Sequence, residues 1–490
     1  VAYQEGRYEM KDLIGDVLDL VKTKGASYGD VRFLRRRSES LEAKNGKPEA
    51  VAAVETEGFG VRVVVDGAWG FAASSRLGKE EMFRVAGEAV AIARASARFK
   101  AKDVVLAPQE AVVASWTNVV GEDPFAVALE ERMDLLVRAT TEMARGENIK
   151  VSEGFLQFWQ TAKIFASTEG AFIEQTIVES GGGIVATAVS EDDIQTRSYP
   201  NSFRGNFGTV GYDYVRNHDL VGNAPRVADE AAQLLTAQVC PAAETTLVIG
   251  PSQLALQVHE SCGHPIELDR VLGMEAAYAG TSFLTLDKRG TFKYGAPIVN
   301  IVADATVPGG LGSFGFDDEG VPAQRTDIVK EGIFVGYLTD RVTAPVLGPE
   351  ERSGGTARAE SWNNIPIIRM TNINLLPGDS SLDEMIATTD DGLFVETNRA
   401  WSIDDKRTNF QFTTEWGRLI KKGKLGAVVK NPTYTGKTPV FWANCDAIGH
   451  EGEWRMWGTP NCGKGQPGQS MHVGHGTAAA RFRNVKVQGA

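Results

Sequence analysis

Two histidines that bracket a glutamate, His259-Glu260-Ser261-Cys262-Gly263-His264, are the residues in this sequence best suited to chemistry. Imidazole and thiolate groups are common zinc ligands, and a catalytic zinc needs three protein ligands and an open position. Glu260, next to the first histidine, suits a general base: it can take a proton from a water attacking a carbonyl and pass it to the leaving nitrogen. The chain has only six histidines, so this pair reads as metal-binding rather than as two unrelated core or surface residues. The third ligand must come from elsewhere. Near candidates are Glu267 and Asp269; distant ones are Cys445 with His450, Cys462, and the pair His472 and His475. Cys462 stands in Thr459-Pro460-Asn461-Cys462-Gly463-Lys464-Gly465, which reads as a tight Gly-rich turn able to present a thiolate. Cys240 and Cys262 read as buried packing, and Cys445 is undecided.

The spacing of the histidines poses a geometric problem. The familiar zinc-peptidase motif sets them four apart on one helix face. Here they are five apart, and at about 100° per residue an ideal helix would splay them by roughly 140°. A local π-bulge would bring them nearly into line. The alternative, which the sequence favours, is a terminated or distorted last turn. Gly263 can take a left-handed cap conformation, and Pro265 disfavours the α region for His264.

The elements that must hold this motif are legible around it. Thr245–Gly250 reads as a strand and Pro251 as the start of a helix, with Ser252 placed to cap it. Leu254, Val258 and Cys262 give that helix a buried stripe. Before it, Asp12–Thr23 has helical spacing, Asp30–Leu34 reads as a strand, and the alternation of Val61, Val63 and Val65 runs into Asp66-Gly67 and on to Trp69 and Phe71 as a hairpin. Lys79–Ala101, Pro124–Arg145 and Val227–Val239 read as helices. Gly154–Ser198 reads as an antiparallel meander with a turn at Gly181-Gly182-Gly183. Beyond Pro241 the chain is Gly- and Pro-rich, with short β-like runs at 298–302, 333–338, 365–370 and 393–396 and a hairpin over 419–429. The expected fold is α+β in two domains: an α/β N-terminal domain, 1–240, with antiparallel sheet and helices, and a β-rich C-terminal domain, 241–490, with the motif helix at its start.

Composition narrows the function. The net charge of −12 and the lack of a long basic run argue against nucleic acid; Arg35-Arg36-Arg37 reads as solvated surface. No apolar run is long enough for a transmembrane helix, and the first residues do not read as a secretory signal. Four cysteines in 490 residues fit a reducing compartment rather than a disulfide scaffold.

Several segments together resemble a known family. His259-Glu260-Ser261-Cys262-Gly263-His264-Pro265-Ile266-Glu267 is similar to the HExxxH signature of the TldD/PmbA family, also called modulators of DNA gyrase. Gly58–Val63 with Asp66–Phe71, Asp318-Glu319-Gly320 with Tyr337–Arg341, and Gly458–Lys464 resemble its other blocks, so the similarity spans essentially the whole chain. The resemblance implies a cytoplasmic zinc-dependent peptidase acting on unstructured peptides. It implies one zinc ion per chain held by His259, His264 and Cys462, with Glu260 as the catalytic residue. It further implies a homodimer, or a heterodimer with a PmbA/TldE-type subunit that lacks the motif. Two other readings remain open: a metal-dependent hydrolase of another amide, and a non-catalytic peptide-binding or assembly subunit. The residues that bind substrate are not legible.

Overall fold

The computed structural model describes residues 2–489. The fold is α+β. Its first part is an eight-stranded sheet drawn from residues 28–208, with β1 (Tyr28–Lys44), β2 (Lys47–Val65), β3 (Ala68–Ser74), β4 (Val113–Thr117), β5 (Ile149–Ser167), β6 (Phe172–Val189), β7 (Ile194–Tyr199) and β8 (Asn206–Gly208). The order is β3-β2-β1-β5-β6-β4, with β7 and β8 also on β6, and every pairing is antiparallel except β4 with β6. Helices cover the sheet where apolar side chains recur at helical spacing. α1 (Ala2–Thr23) and α2 (Lys79–Ala97) bury Ile14, Val17, Val85 and Ala89 against Val31, Phe59 and Val61. α3 (Leu129–Ala144), the short α4 (Tyr212–Asn217) and α5 (Leu220–Thr236) bury a second cluster against Leu41, Leu156 and Ile184.

The Asp66-Gly67 hairpin stands where its chemistry places it: both residues have positive φ, 50° and 71°, as a two-residue turn between twisted strands requires. Gly181-Gly182-Gly183 is not a turn. It lies in mid-strand in β6, and a Cβ on Gly181 would stand 2.3 Å from the Asn206 carbonyl oxygen, and one on Gly183 2.5 Å from Gly205 Cα. The glycines clear space for the segment entering β8 to lie across the strand.

The second part begins with β9 (Gln238–Val239) and β10 (Ala243–Ile249). Strands Asp391–Ile403, β10, Ala480–Gly489, Pro432–Lys437 and Asn409–Lys421 pair in that order, and the last pairs back with the first, closing a five-membered ring. Closure leaves these strands no pairing edge, a rigid frame for whatever packs on it. Lys424–Lys430 and β9 extend it on one side. Helix α6 (Pro251–Val258) follows β10 directly, and Leu254, Val258 and Cys262 enter the same core as Leu247, Phe412, Tyr434, Trp442 and Phe482. Because Gln253 and Gln257 are fully buried, they need partners; both meet the Tyr434 hydroxyl, at 2.9 and 3.0 Å. A four-stranded sheet of Ile301–Asp304, Arg325–Lys330, Ile333–Phe334 and Ile373–Leu375, and a hairpin of Arg455–Lys464 with Gln469–Thr477, complete the surroundings of the motif. Among the described residues no helix is long and apolar enough to cross a membrane.

Candidate metal centre

Gly250, in extended conformation, is the N-cap of α6, and Pro251 opens its first turn, where a missing N–H costs nothing. Ser252 does not cap; its hydroxyl lies 3.4 Å from Thr397 Oγ1. After Val258 the helix widens. His259–Gly263 form a π-turn in which the His264 amide donates to the His259 carbonyl, five residues back. This wider winding is what a five-residue spacing needs to aim two side chains together. The imidazole centroids stand 4.9 Å apart with planes at 86°.

The distortion is therefore a π-turn and not a left-handed stop. Gly263 is right-handed, φ −57° and ψ −57°, and a Cβ there would lie 2.2 Å from Met370 Sδ. Glycine is required for room, not for handedness. His264 also stays in the α region, φ −66° and ψ −41°. Pro265 is tolerated because it sits in the first turn of a short 3-10 segment, His264–Ile266, where it displaces no needed donor.

Cys462 arrives from the far end of the chain. It lies in strand Arg455–Lys464 rather than in a turn, just past a bulge between Thr459 and Cys462 that re-aims the side chain. Its Sγ stands 3.5 Å from His259 Nε2 and 3.8 Å from His264 Nε2, and the three ligand atoms lie within 4.8 Å of one another. For a tetrahedral zinc with bonds of about 2.3 Å to sulfur and about 2.05 Å to nitrogen, the S···N separation is roughly 3.6 Å. The donor set and its spacing fit such an ion. It is the one His/Cys/carboxylate cluster of this compactness among the described residues.

Each candidate ligand is oriented from behind. His259 Nδ1 lies 2.8 Å from His475 Nε2, and His475 Nδ1 lies 3.3 Å from the Ile373 carbonyl. The carbonyl can only accept, so His475 donates from Nδ1 and accepts at Nε2. His259 then donates from Nδ1 and keeps its Nε2 lone pair for the site. Burial, followed by the neighbouring His259, holds His475 well below the ordinary histidine range, which keeps it neutral for this role. His264 Nδ1 is 2.9 Å from Glu267 Oε2, which frees its Nε2 in the same way. Burial opposes the charged form of His264, but the Cys462 thiolate and Glu267 outweigh it and hold the imidazole up to about 9. Burial likewise opposes ionisation of Cys462, and His259, His264 and Arg369 overcome it, so the thiol lies well below its usual range. Arg369 also donates to the Cys462 carbonyl.

Glu260 is buried beside the ligands rather than solvated. Burial alone would raise its carboxyl; His259, Arg407 and His264 together hold it below the usual range. Arg407, from the turn between Asp391–Ile403 and Asn409–Lys421, donates Nη1 to Glu260 Oε2, and Trp401 contributes a further hydrogen bond.

Of the other candidates, Glu267 and Asp269 stand behind the site. Lys464 Nζ reaches Asp269 at 2.6 and 2.8 Å and Glu267 at 3.5 Å. His475 is likewise placed behind His259. His472 points elsewhere, with Nδ1 2.9 Å from Glu179 Oε1. Cys445 is buried with its thiol pushed up by burial, and His450 is an exposed cap that accepts from the Gly452 amide at 3.1 Å. Cys240 and Cys262 are buried thiols raised by burial to about 11 and about 12. Sequence reasoning missed Arg407, Trp401, Lys464 and Arg369. Only Lys464 carried a signal, its place two residues after Cys462; the rest are contacts over long sequence separation.

Comparison with known proteins places this arrangement in a class. A family model described as PmbA/TldA metallopeptidase C-terminal domain matches residues 242–489, and the models for domain 1 and the central domain match 29–93 and 122–239. The chain belongs to this metallopeptidase family and is a metallopeptidase. A metalloprotease of Methanocaldococcus jannaschii is 29% identical over 93% of this chain and 95% of its own length. A metalloprotease TldD homolog of Haemophilus influenzae is 26% identical over 97% and 95%. The fold is shared with a candidate modulator of a DNA gyrase from Thermotoga maritima, TM-score 0.77 at 19% identity over 98% of this chain and all of that one. It is shared too with TldE from Thermococcus kodakarensis, TM-score 0.69 at 16% identity over 97% and 100%.

Proposed function

We propose that this chain hydrolyses unstructured peptides with a zinc ion held by His259, His264 and Cys462. The observation that carries the reading is the convergence of two imidazole nitrogens and a thiol sulfur, with S···N separations of 3.5 and 3.8 Å, beside a buried carboxylate. A zinc ion there supplies a Lewis acid for a peptide carbonyl and for water. Glu260 takes the proton of the attacking water and delivers it to the departing amide nitrogen. Arg407 and Trp401 hold the Glu260 carboxylate in place, and the acceptor state of His475 and the Glu267 carboxylate fix the two imidazoles. The enclosed position of all four groups excludes bulk water from the proton's path.

The division at 240/241 is proposed as the main domain boundary; in its support, the first sheet draws only on residues 28–208 and the second only on 238–489. A cytoplasmic location, and assembly with a second copy or a TldE-type subunit, follow from the family resemblance.

The test is metal analysis of wild type, His264→Ala and Cys462→Ala, with peptide cleavage by Glu260→Gln. About one zinc per chain, lost in both ligand variants and kept in an inactive Glu260→Gln, is the expected result. Wild type that binds no metal when zinc is supplied would overturn the reading.

A further inference from the structure

Beside the hairpin that carries Cys462 lies a cavity of about 470 Å³. Strand alternation turns Ser470 and His472 away from His475, and both line it, with Pro460 and Asn461, the two residues before Cys462. A ligand in the cavity therefore lies against the metal-binding strand. Arg36 lines it too: within the Arg35-Arg36-Arg37 run alternation exposes the outer two and turns the middle one inward.

The acids on the cavity wall are already engaged. Glu179 takes His472 Nδ1 at 2.9 Å, Asp318 takes Lys163 Nζ at 3.0 Å and the Ala359 amide at 2.8 Å, and Glu360 takes the Ser470 amide at 2.9 Å. Two guanidinium groups favour the charge of Glu179 but form no ion pair of their own among the described residues. Arg358, 7% exposed, donates Nη2 only to the carbonyls of Met370 and His472, and its Nε is buried without a partner. Arg36 donates Nε to Thr161 Oγ1 at 3.1 Å and, among the described residues, has no carboxylate in ion-pair contact. Most other buried arginines are paired, among them Arg62 with Asp30 and Glu319, Arg197 with Glu230 and Glu396, and Arg341 with Glu169. Arg32 and Arg369 share the lack of a carboxylate. Burial, and then the charge of Arg369, push Arg358 down to about 10, a penalty that an anion in the cavity would relieve.

We propose that this cavity is a subsite for a carboxylate of the bound peptide, gripped by Arg358 and Arg36, which makes the enzyme select peptides that carry one at that point. The inference rests on the peptide-hydrolase reading above and adds a substrate class to it. The carboxylate belongs either to the peptide C-terminus or to an Asp or Glu side chain. A forked guanidinium suits both.

The experiment is equilibrium binding of four tetrapeptides to zinc-loaded Glu260→Gln protein: free acid and C-terminal amide, each with a central Glu or Gln. A carboxylate-bearing peptide is expected to bind about tenfold or more tighter than the neutral one, as charge-assisted hydrogen bonds warrant. The acid/amide pair and the Glu/Gln pair distinguish the two sources. Arg36→Gln, at a half-buried position, should abolish the preference, and Arg358→Gln should do the same. Equal affinity for all four peptides overturns the proposal. So does a preference that survives both substitutions, which would assign the carboxylate to the metal. Cleavage of the same peptides by wild type is scored separately. Equal binding with turnover sinks the subsite and spares the hydrolase, whereas selective binding without turnover does the reverse.

Discussion

The two faces of the Arg455–Thr477 hairpin each carry a histidine, and the two are treated differently. On one face His475 is held between the Ile373 carbonyl and His259, and charged groups behind the motif are ion-paired: Glu267 with His264, Lys464 with Asp269, Arg407 with Glu260. On the other face His472 meets Glu179, but the neighbouring Arg358 donates only to backbone carbonyls and has no ion-paired carboxylate among the described residues. An ion-paired carboxylate and an arginine without one have different physical meanings. A metal site gains from groups whose hydrogen bonds are complete before the ion arrives, because nothing then reorganises. A site for a charged ligand gains from donors left open for it.

That contrast can be broken at several points. The largest effect is expected from Glu260→Gln, which keeps the shape and removes the proposed base: turnover should fall about 10³-fold or more with zinc content unchanged, measured by peptide cleavage and metal analysis. Lys464→Met should come next. It strands Asp269 as a buried acid and takes a second charge partner from Glu267, and breaking such a pair costs about 3–5 kcal/mol. A large drop in midpoint in urea would show it; an unchanged midpoint would mean that the ion-paired face is not what holds the hairpin down. Gly263→Ala should cost about 1–3 kcal/mol by overpacking against Met370 and should weaken zinc retention, because the π-turn cannot widen further.

Much of this was legible in the residues, and the failures have a common cause. The α+β class, the Asp66-Gly67 hairpin, the strand–helix entry into the motif and its buried stripe follow from local rules that sequence carries openly: positive φ at a turn, alternation, helical spacing. The candidate ligand Cys462, 198 positions from His264, was reached by resemblance and not by spacing. Local rules also misled. Gly181–Gly183 and Gly263 have the composition of turns and caps, but each is glycine because another segment passes within van der Waals reach. Such close approach is a tertiary fact with no signature in the neighbouring residues. Arg407 lies 147 positions from Glu260, and nothing near either residue announces their contact.

The smallest effects give the sharpest comparison of the two faces. His475→Leu removes the acceptor that fixes the His259 tautomer, and loss of such a supporting partner lowers zinc affinity by about 10–100-fold, read by competition with a chelator. His472→Leu, three residues earlier and on the opposite face, should leave zinc affinity unchanged. Its cost should be confined to stability, about 1–3 kcal/mol, because the buried Glu179 loses its hydrogen-bond donor while Arg36 and Arg358 still favour its charge. If both variants weakened zinc equally, the hairpin would act as one rigid unit and the distinction between its faces would fail. If only His475→Leu did so, orientation of the ligand and not integrity of the strand would be what secures the metal.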